Sequence, residues 1–478
     1  MPPIRSRSWI FVILALAAGA ALRLWFIHAY PEVDGDPLIY GDIAKNWLQH
    51  GIYGLATYND AGQRIIHPTL IRLPGYPLFL ALCFTLFGME HYHAAMFMQV
   101  AIDLATCLLI AAFVARIWNR RAAMIALWLA ALCPFTANYS ATPLAESLSI
   151  FCVALGFYAL VRILAKPSPN WIAALAFAIS YATLLRPDGA LLAVALCAGL
   201  LLYGRKGGRK GIGPWPALGT SRALQLALIT GLLSILPFIP WSLRNWHTFH
   251  VFQPLAPRYA MDPGDFTYPG FNRWVKTWCV DLVSTSEVYW NGNSDKIDIR
   301  NLPSRAFDSP EQYQQTRQLL DDYNETTTLS PEIDARFEQL AQQRTQGHEL
   351  RYYIALPLAR LADMWLRPRT ELLWIEMRWW DHYHHPEESD FVYVYATLNL
   401  AYLMAAIVGL IRWPRLAGVM LAFVLLRCVL LATIEAPEPR YTLECFPIVI
   451  ALAAIAFGGR KTDKTGWRSV GNSRIFRS

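Results

Sequence analysis

Residues 9–54 read WIFVILALAAGAALRLWFIHAYPEVDGDPLIYGDIAKNWLQHGIYG. An apolar run of about 20 residues, long enough to cross a hydrocarbon layer as a helix, runs straight into a loop that carries Glu32, Asp34, Asp36 and Asp42. Asp36 before Pro37 reads as the N-cap and first residue of a second helix, ending at His50 with Gly51 beyond its C-terminus. A carboxylate at that position is stabilised as the anion, which makes it a good acceptor for a cation or a hydroxyl and an indifferent general base. Asp34 is the alternative. Asp36 and Asp42 lie about 240° apart around the helix, so they do not face one small site together, which argues against a hydrolase built on paired carboxylates.

The same alternation continues through the 478 residues. The chain is 55% hydrophobic and 13% aromatic, and only 16% of it is Asp, Glu, Lys or Arg, against roughly 25% in soluble domains. Ten apolar runs, at about 9–29, 91–115, 122–137, 146–165, 170–185, 189–203, 222–241, 391–411, 416–434 and 441–458, predict an all-α polytopic membrane protein. The net charge of +7 sits in short clusters between runs, where orientation in a bilayer accounts for it, so no nucleic-acid partner is expected. Those clusters, RIWNRR, RILAKP, GRKGGRKG, IRWPR and the tail after 459, fall on alternate turns and predict cytoplasmic termini in a cell membrane. All eleven histidines and nearly all the acids then lie on the outer face. The opening MPPIRSRS and the run after it also fit a signal peptide; the run's continuation to Ala29 favours an uncleaved anchor.

Two outer segments are too long for turns: about 30–90, and about 242–390. The second contains SPEQYQQTRQLLDDYNE and SPEIDARFEQLAQQRTQG, each opening on a Ser N-cap and a Pro at the first helical position. Ile333, Phe337 and Leu340 share one helix face. The expected organisation is a membrane core with its first outer loop over 1–257, an outer helical region over 258–390, further spans over 391–458 and a basic tail over 459–478. Seven of the eight cysteines lie in apolar segments, Cys279 being the exception, so no disulfide framework is expected.

Several short motifs follow in order: Asp36, Tyr40, Ala44 and Asn46 in the pattern D-x-x-x-Y-x-x-x-A-x-N, then RLPGYP at Arg72 to Pro77, ahead of a short apolar stretch suited to the membrane interface. PLAESL around Glu146, LLRPDG around Arg186, PWSLRNW around Arg244 and PEPRYTLECFP around Arg440 and Tyr441 complete the series. In this series the chain resembles the GT-C glycosyltransferases, in the branch that holds the dolichyl-phosphate-mannose protein mannosyltransferases and the bacterial aminoarabinose transferase. The resemblance implies a GT-C-like helix bundle that moves a sugar, with inversion, from a polyprenyl-phosphate donor to an extracytoplasmic lipid, glycan or protein acceptor.

It further implies that Asp36, or Asp34, acts on the acceptor hydroxyl. Arg72, Arg244, Arg440 and Tyr441 would hold the donor phosphate, supported by Tyr40, Asp42, Glu146 and Arg186. A divalent cation is an open partner, because DGDP stands where the mannosyltransferases commonly carry an Asp-Glu pair. The physical reading agrees: a lipid phosphate sits at the interface and calls for arginines at the outer ends of spans. The bland alternatives are snorkelling for the arginines and a first-turn dipole contact for Glu146. Within a span, Asp103 with Gln99 reads as a hydrogen-bonding partner of a neighbouring helix, and Arg23 and Arg427 as partners for such acids. The run WWDHYHHPEES fits no metal-ligand spacing. A transporter or flippase of lipid-linked intermediates is the rival class; it would need titratable groups at mid-membrane on several spans, where the sequence offers mainly Asp103.

Overall fold

The computed structural model describes residues 8–59, 61–206, 215 and 217–459. The basic tail and most of GRKGGRKG lie outside them. The chain runs α1 (Ser8–Ala29), α2 (Asp36–His50), β1 (Gly54–Tyr58), β2 (Arg64–Pro68), α3 (Gly75–Phe87), α4 (Tyr92–Ile117), α5 (Arg120–Ala131), α6 (Pro134–Ala137), α7 (Glu146–Ala165), α8 (Pro169–Leu185), α9 (Ala190–Lys206), α10 (Thr220–Ile235) and α11 (Phe238–Phe249). It continues through α12 (Pro269–Lys276), α13 (Leu282–Ser284), α14 (Pro310–Thr326), α15 (Pro331–Thr345), α16 (Leu356–Leu366), α17 (Pro386–Ile411), α18 (Ala417–Leu431) and α19 (Phe446–Phe457).

Seven of these helical segments are long and apolar enough to cross a membrane, and the bent pair of α5 with α6 and its following turn makes an eighth. With the shorter apolar helices α8 and α18 they occupy the ten runs read from the sequence. The expected straight span over 122–137 is instead bent by 50°. Pro134 supplies the reason, since it has no N–H to continue the ladder of α5 and opens α6 as its first residue. α7 and the last span, 72% and 78% buried, form the centre of the bundle, whereas α1, α10–α11 and α17 are only 28% buried. The outer helices turn Leu228, Leu232, Ile235 and Leu236 outward, a surface that only a lipid environment accommodates.

Ion pairs inside the bundle are matched. Arg23 and Asp103, both almost fully buried, meet at 2.5 Å, and the guanidinium also donates to the carbonyls of Gly19 and Ala131. Gln99 accepts from the Tyr76 hydroxyl at 2.6 Å and donates to the Thr142 carbonyl. The polar groups of this region are thus bundle-facing partners, as read.

The first loop is built on α2 and a two-stranded antiparallel hairpin, β1 with β2, in register Gly54 to Pro68. The sequence reading had not placed this hairpin. Asn46 donates to the Gly54 carbonyl, and Asp42 accepts the Ala56 N–H at 2.7 Å while meeting Arg64 at 3.2 Å. A Cβ at position 54 would fall 2.2 Å from the His67 carbonyl oxygen, so only glycine lets the hairpin close there. α3 follows, with Tyr76, Leu80 and Phe84 buried and Leu78, Leu82 and Leu86 exposed, the one-sided pattern expected of an interfacial helix.

The helical segment between α11 and α17 has its own core of Phe271, Trp274, Trp278, Leu319, Leu320, Tyr323 and Phe337. Its helices start as read: Ser309 accepts the Gln312 N–H, and Ser330 accepts the Ile333 N–H. Buried arginines brace it and tie it to the bundle. Arg360 donates to the Cys279 carbonyl at 2.9 Å within the region, and Arg369 reaches the start of the last span, donating to the Pro439 carbonyl and the Thr442 hydroxyl at 2.8 and 2.6 Å.

Candidate active site

Asp36 is the first residue of α2, which starts one residue earlier than expected. The N-cap is Gly35, whose φ of 63° makes the turn into the helix, and the Asp36 carboxylate takes no capping bond. Adjacent positions in GDP are equally able to start a helix, and glycine takes the left-handed cap. Relieved of capping, Asp36 reaches across the loop. It accepts from Arg72 at 2.7 Å and sits 3.4 Å from Arg440, a residue 404 positions away. Burial alone would raise its pKa; the two guanidiniums outweigh that and hold the carboxyl below its usual range. Tyr40, one turn along α2, is buried and lies 5.9 Å beneath the Arg72 guanidinium. Burial, with the Asp36 charge second, pushes its phenol up to about 12, so it is a hydrogen-bond donor and not a base.

A cavity of about 620 Å³ opens beside this pair, lined by Asp36, Tyr40, Arg72, Glu146, Arg186, Arg440 and Tyr441 among others. Seven residues singled out from the sequence, drawn from five separate motifs, therefore meet in one place. Leu185, Leu191, Leu430, Leu431 and Ile434 also line it and give it an apolar share. The volume suits a small-molecule or headgroup site.

The charged floor is a chain of pairs. Arg186 bridges Glu146 at 3.2 Å, Asp188 at 3.3 Å and Glu444 at 3.4 Å, with its guanidinium 4.9 Å over the Tyr441 ring. Arg427 pairs with Asp188 at 3.0 Å and with Glu444. Arg440 lies 2.6 Å from Glu438, which also receives the Tyr441 hydroxyl. Asp188, Glu438 and Glu444 were not singled out from the sequence, although each stands inside a motif that was. Glu444 had the clearest signal, a carboxylate within an apolar run.

Three expected site residues stand elsewhere. Asp34 is exposed and accepts its neighbour's Gly35 N–H. Asp42 braces the hairpin. Arg244 donates to the carbonyls of Tyr53 and Thr69 at 2.6 and 2.8 Å and lies over the rings of Tyr53 and Trp241. It ties the first loop to α11 and does not line the cavity. Among the described residues no three His, Cys, Asp or Glu side chains converge as a metal site. The cavity carboxylates are engaged by arginines, so this donor set does not fit a divalent cation and no step is routed through one.

Residues 67–241 match the family model of the dolichyl-phosphate-mannose-protein mannosyltransferases. No curated protein matches the chain. Among solved structures, the archaeal oligosaccharyltransferase AglB from Archaeoglobus fulgidus, in complex with an inhibitory peptide and a dolichol-phosphate, superposes with a TM-score of 0.50 at 12% identity, over 94% of this chain and 50% of that one. ArnT from Cupriavidus metallidurans bound to undecaprenyl phosphate matches at 12% identity over 95% of this chain and 77% of that one, with a TM-score of 0.38, too loose to argue from. The chain spans about half the length of the archaeal structures that it matches. The protein thus has the polytopic, predominantly helical GT-C fold, and from its first loop into its central spans it is similar to the dolichyl-phosphate-mannose-protein mannosyltransferases.

Proposed function

We propose that the protein is a glycosyltransferase that takes a sugar from a polyprenyl-phosphate carrier and passes it to an extracytoplasmic acceptor. The observation that carries this reading is the mixed lining of the cavity, arginines and carboxylates together with leucines and isoleucines. A ligand suited to both kinds of lining has an anionic head and a long apolar tail, which is the chemistry of a lipid phosphate. The family matched by residues 67–241 is named for such a donor, dolichyl-phosphate-mannose. The outward placement of the cavity, cytoplasmic termini and the division at 257 and 390 belong to the same proposal, on the strength of the basic inner turns.

In the reaction, the acceptor oxygen attacks the anomeric carbon of the sugar. A C–O bond forms as the bond from that carbon to the phosphate oxygen breaks, and the electron pair leaves with the polyprenyl phosphate. Asp36 accepts the acceptor's hydroxyl proton. With both arginines on it, Asp36 is a weak base. A donor phosphate competes for Arg72 and Arg440, and as it draws them away the carboxylate loses the charges that depress its pKa, becoming a better base as the donor arrives. Those arginines then stabilise the leaving phosphate. Arg186, Glu146 and Tyr441 hold the floor in register, and Tyr40 positions the Arg72 plane.

A flippase reading would place titratable groups along a path through the bundle, but Asp103 is locked to Arg23, which itself also donates to two carbonyls. The deciding experiment is release of labelled sugar from a polyprenyl-phosphate donor by the purified protein in detergent. Release in the presence of an acceptor, with slower hydrolysis in its absence, is expected; vesicle translocation of the donor with no release would overturn the reading.

A further inference from the structure

A second cavity of about 620 Å³ lies in the outer helical region, between α12, α15 and the strand of chain at 258–266. It touches the first at two residues only, Arg258 and Glu435, which line both. These two form an ion pair, with Lys276 3.7 Å from the same carboxylate. The Arg258 side chain is 64% exposed. The two residues common to both cavities are therefore ion-paired with each other, one of them solvated, and exposed pairs of this kind are weakly held. An outward swing of Arg258 would open a way from the outer cavity to the one that holds Asp36.

The lining of the outer cavity selects a chemical class. Arg258 and Lys276 share Glu435, Arg273 pairs with Glu338, and Asp334 accepts the N–H groups of Gly270 and Phe271, so three cations stand with three carboxylates in the lining. A charged ligand would have to displace one of these partners. A hydroxyl joins them without doing so, because a paired carboxylate keeps free lone pairs and a paired guanidinium keeps free N–H groups. Between the pairs stand Tyr259, Phe266 and Tyr352, whose rings offer apolar faces with polar edges. No strand edge borders the cavity, the hairpin of the first loop being the sole sheet among the described residues, so the backbone pairing that seats an extended peptide has no template there.

We infer that this groove seats a neutral, hydroxyl-rich saccharide acceptor and that the Arg258–Glu435 pair is the door through which its reacting hydroxyl reaches Asp36. The inference rests on the glycosyltransferase reading and deepens it by naming the acceptor. The hydroxyl's oxygen takes the sugar carbon and its proton goes to Asp36, with polyprenyl phosphate leaving as above. Arg258 and Glu435 are positioning residues, since they act on access to the reacting atoms.

The test uses the full-length protein in detergent and separates the groove from the chemistry. Binding of mannotriose, of trigalacturonate and of a Ser/Thr-containing hexapeptide is followed by saturation-transfer NMR without donor, and donor hydrolysis in water is measured in parallel. Mannotriose is expected to bind, with trigalacturonate and the peptide at least tenfold weaker. Tyr352→Ala and Phe266→Ala should weaken mannotriose tenfold or more, Tyr352→Phe should restore it, and all three should hydrolyse donor at the wild-type rate. Arg258→Ala should keep mannotriose binding and change the KM for transfer. Wild-type protein that ignores mannotriose, prefers trigalacturonate or the peptide, or binds unchanged after both ring deletions would overturn the groove assignment. Loss of donor hydrolysis in wild-type protein with mannotriose binding intact would instead strike the glycosyltransferase reading.

Discussion

Asp36→Asn is the substitution on which the proposed chemistry is most exposed. Because Gly35 and not Asp36 caps α2, the change removes no helix cap. What it removes is the charge facing Arg72 at 2.7 Å and Arg440 at 3.4 Å. The asparagine oxygen still accepts one hydrogen bond. A charge-assisted bond is worth about 1.5–3 kcal/mol, and the carboxylate side chain is 24% exposed, so the stability loss should be about 1–2 kcal/mol after solvent screening. For a chain of 478 residues that is a fall of about 1–2 °C in Tm, on the order of 1 °C per kcal/mol. Turnover should fall by roughly 10² to 10⁴, the usual contribution of a positioned proton acceptor, equivalent to about 2.7–5.4 kcal/mol at the transition state. Donor affinity should stay level or tighten, because Asp36 is the phosphate's competitor for both arginines; Arg72→Lys should weaken it. Single-turnover transfer from a labelled donor, with donor Kd measured separately, distinguishes these effects. Asp34→Asn is the control, and a larger loss there would move the role by two residues. Wild-type turnover in Asp36→Asn, Asp34→Asn and the double variant, all well folded, would end the proposal.

Four further outcomes follow from particular contacts. Arg23→Met leaves the Asp103 carboxylate buried without its partner and should cost about 3–5 kcal/mol, whereas Arg23→Met with Asp103→Leu should recover most of it in a chemical-unfolding series. Arg244→Ala frees the carbonyls of Tyr53 and Thr69 and should raise KM and lower kcat together by loosening the first loop, while Asp36 remains chemically intact. Asp363, whose carboxyl burial raises to about 6 against the opposing pull of Arg367, favours the folded state below its unfolded value near 4, an advantage lost as pH rises through 6; Asp363→Asn should therefore raise Tm at pH 7.5 and flatten its dependence between about pH 4 and 6. Single cysteines at Gln63 and Gln314, both exposed, should react with an impermeant maleimide in intact cells, and labelling only after permeabilisation would reverse the topology.

The fold was legible wherever one local signal sufficed. Runs of about 20 apolar residues located the spans, Ser309 and Ser330 announced their helices, and Gly51, at φ 68°, closes α2 as a left-handed residue should. What escaped depended on competition between neighbours. The run over 122–137 is apolar throughout, so hydropathy passes over Pro134, yet the missing N–H alone breaks the helix there. The hairpin strands, GLATY and RIIHP, are five residues each, too short for alternation to stand out, and are held largely by Asn46 and Asp42 of a helix already in place. Gly35 and Asp36 are both competent caps, and the choice between them is made by the arginines that Asp36 gains on being left free.

The site followed a different rule. Residue types were readable and pairings were not, since Asp36 meets Arg440 across 404 positions and Arg427 meets Asp188 across 239. Even so, electroneutrality carries more information than the motifs did. A guanidinium placed in a low-dielectric bundle must be met by carboxylates or by several carbonyls. Arg72, Arg186 and Arg440, with Arg427 behind them, called for more acids than Asp36 and Glu146 supply, and the acids that share a motif with Arg186 or Arg440 are Asp188, Glu438 and Glu444, which the structure places against those arginines. Arg244 satisfies the same requirement by the other route, through the Tyr53 and Thr69 carbonyls, and for that reason has no acid and no place in the cavity. Whether an arginine at a span's end finds an acid or a carbonyl thus separates those that can trade a partner for a phosphate from those that only hold a loop.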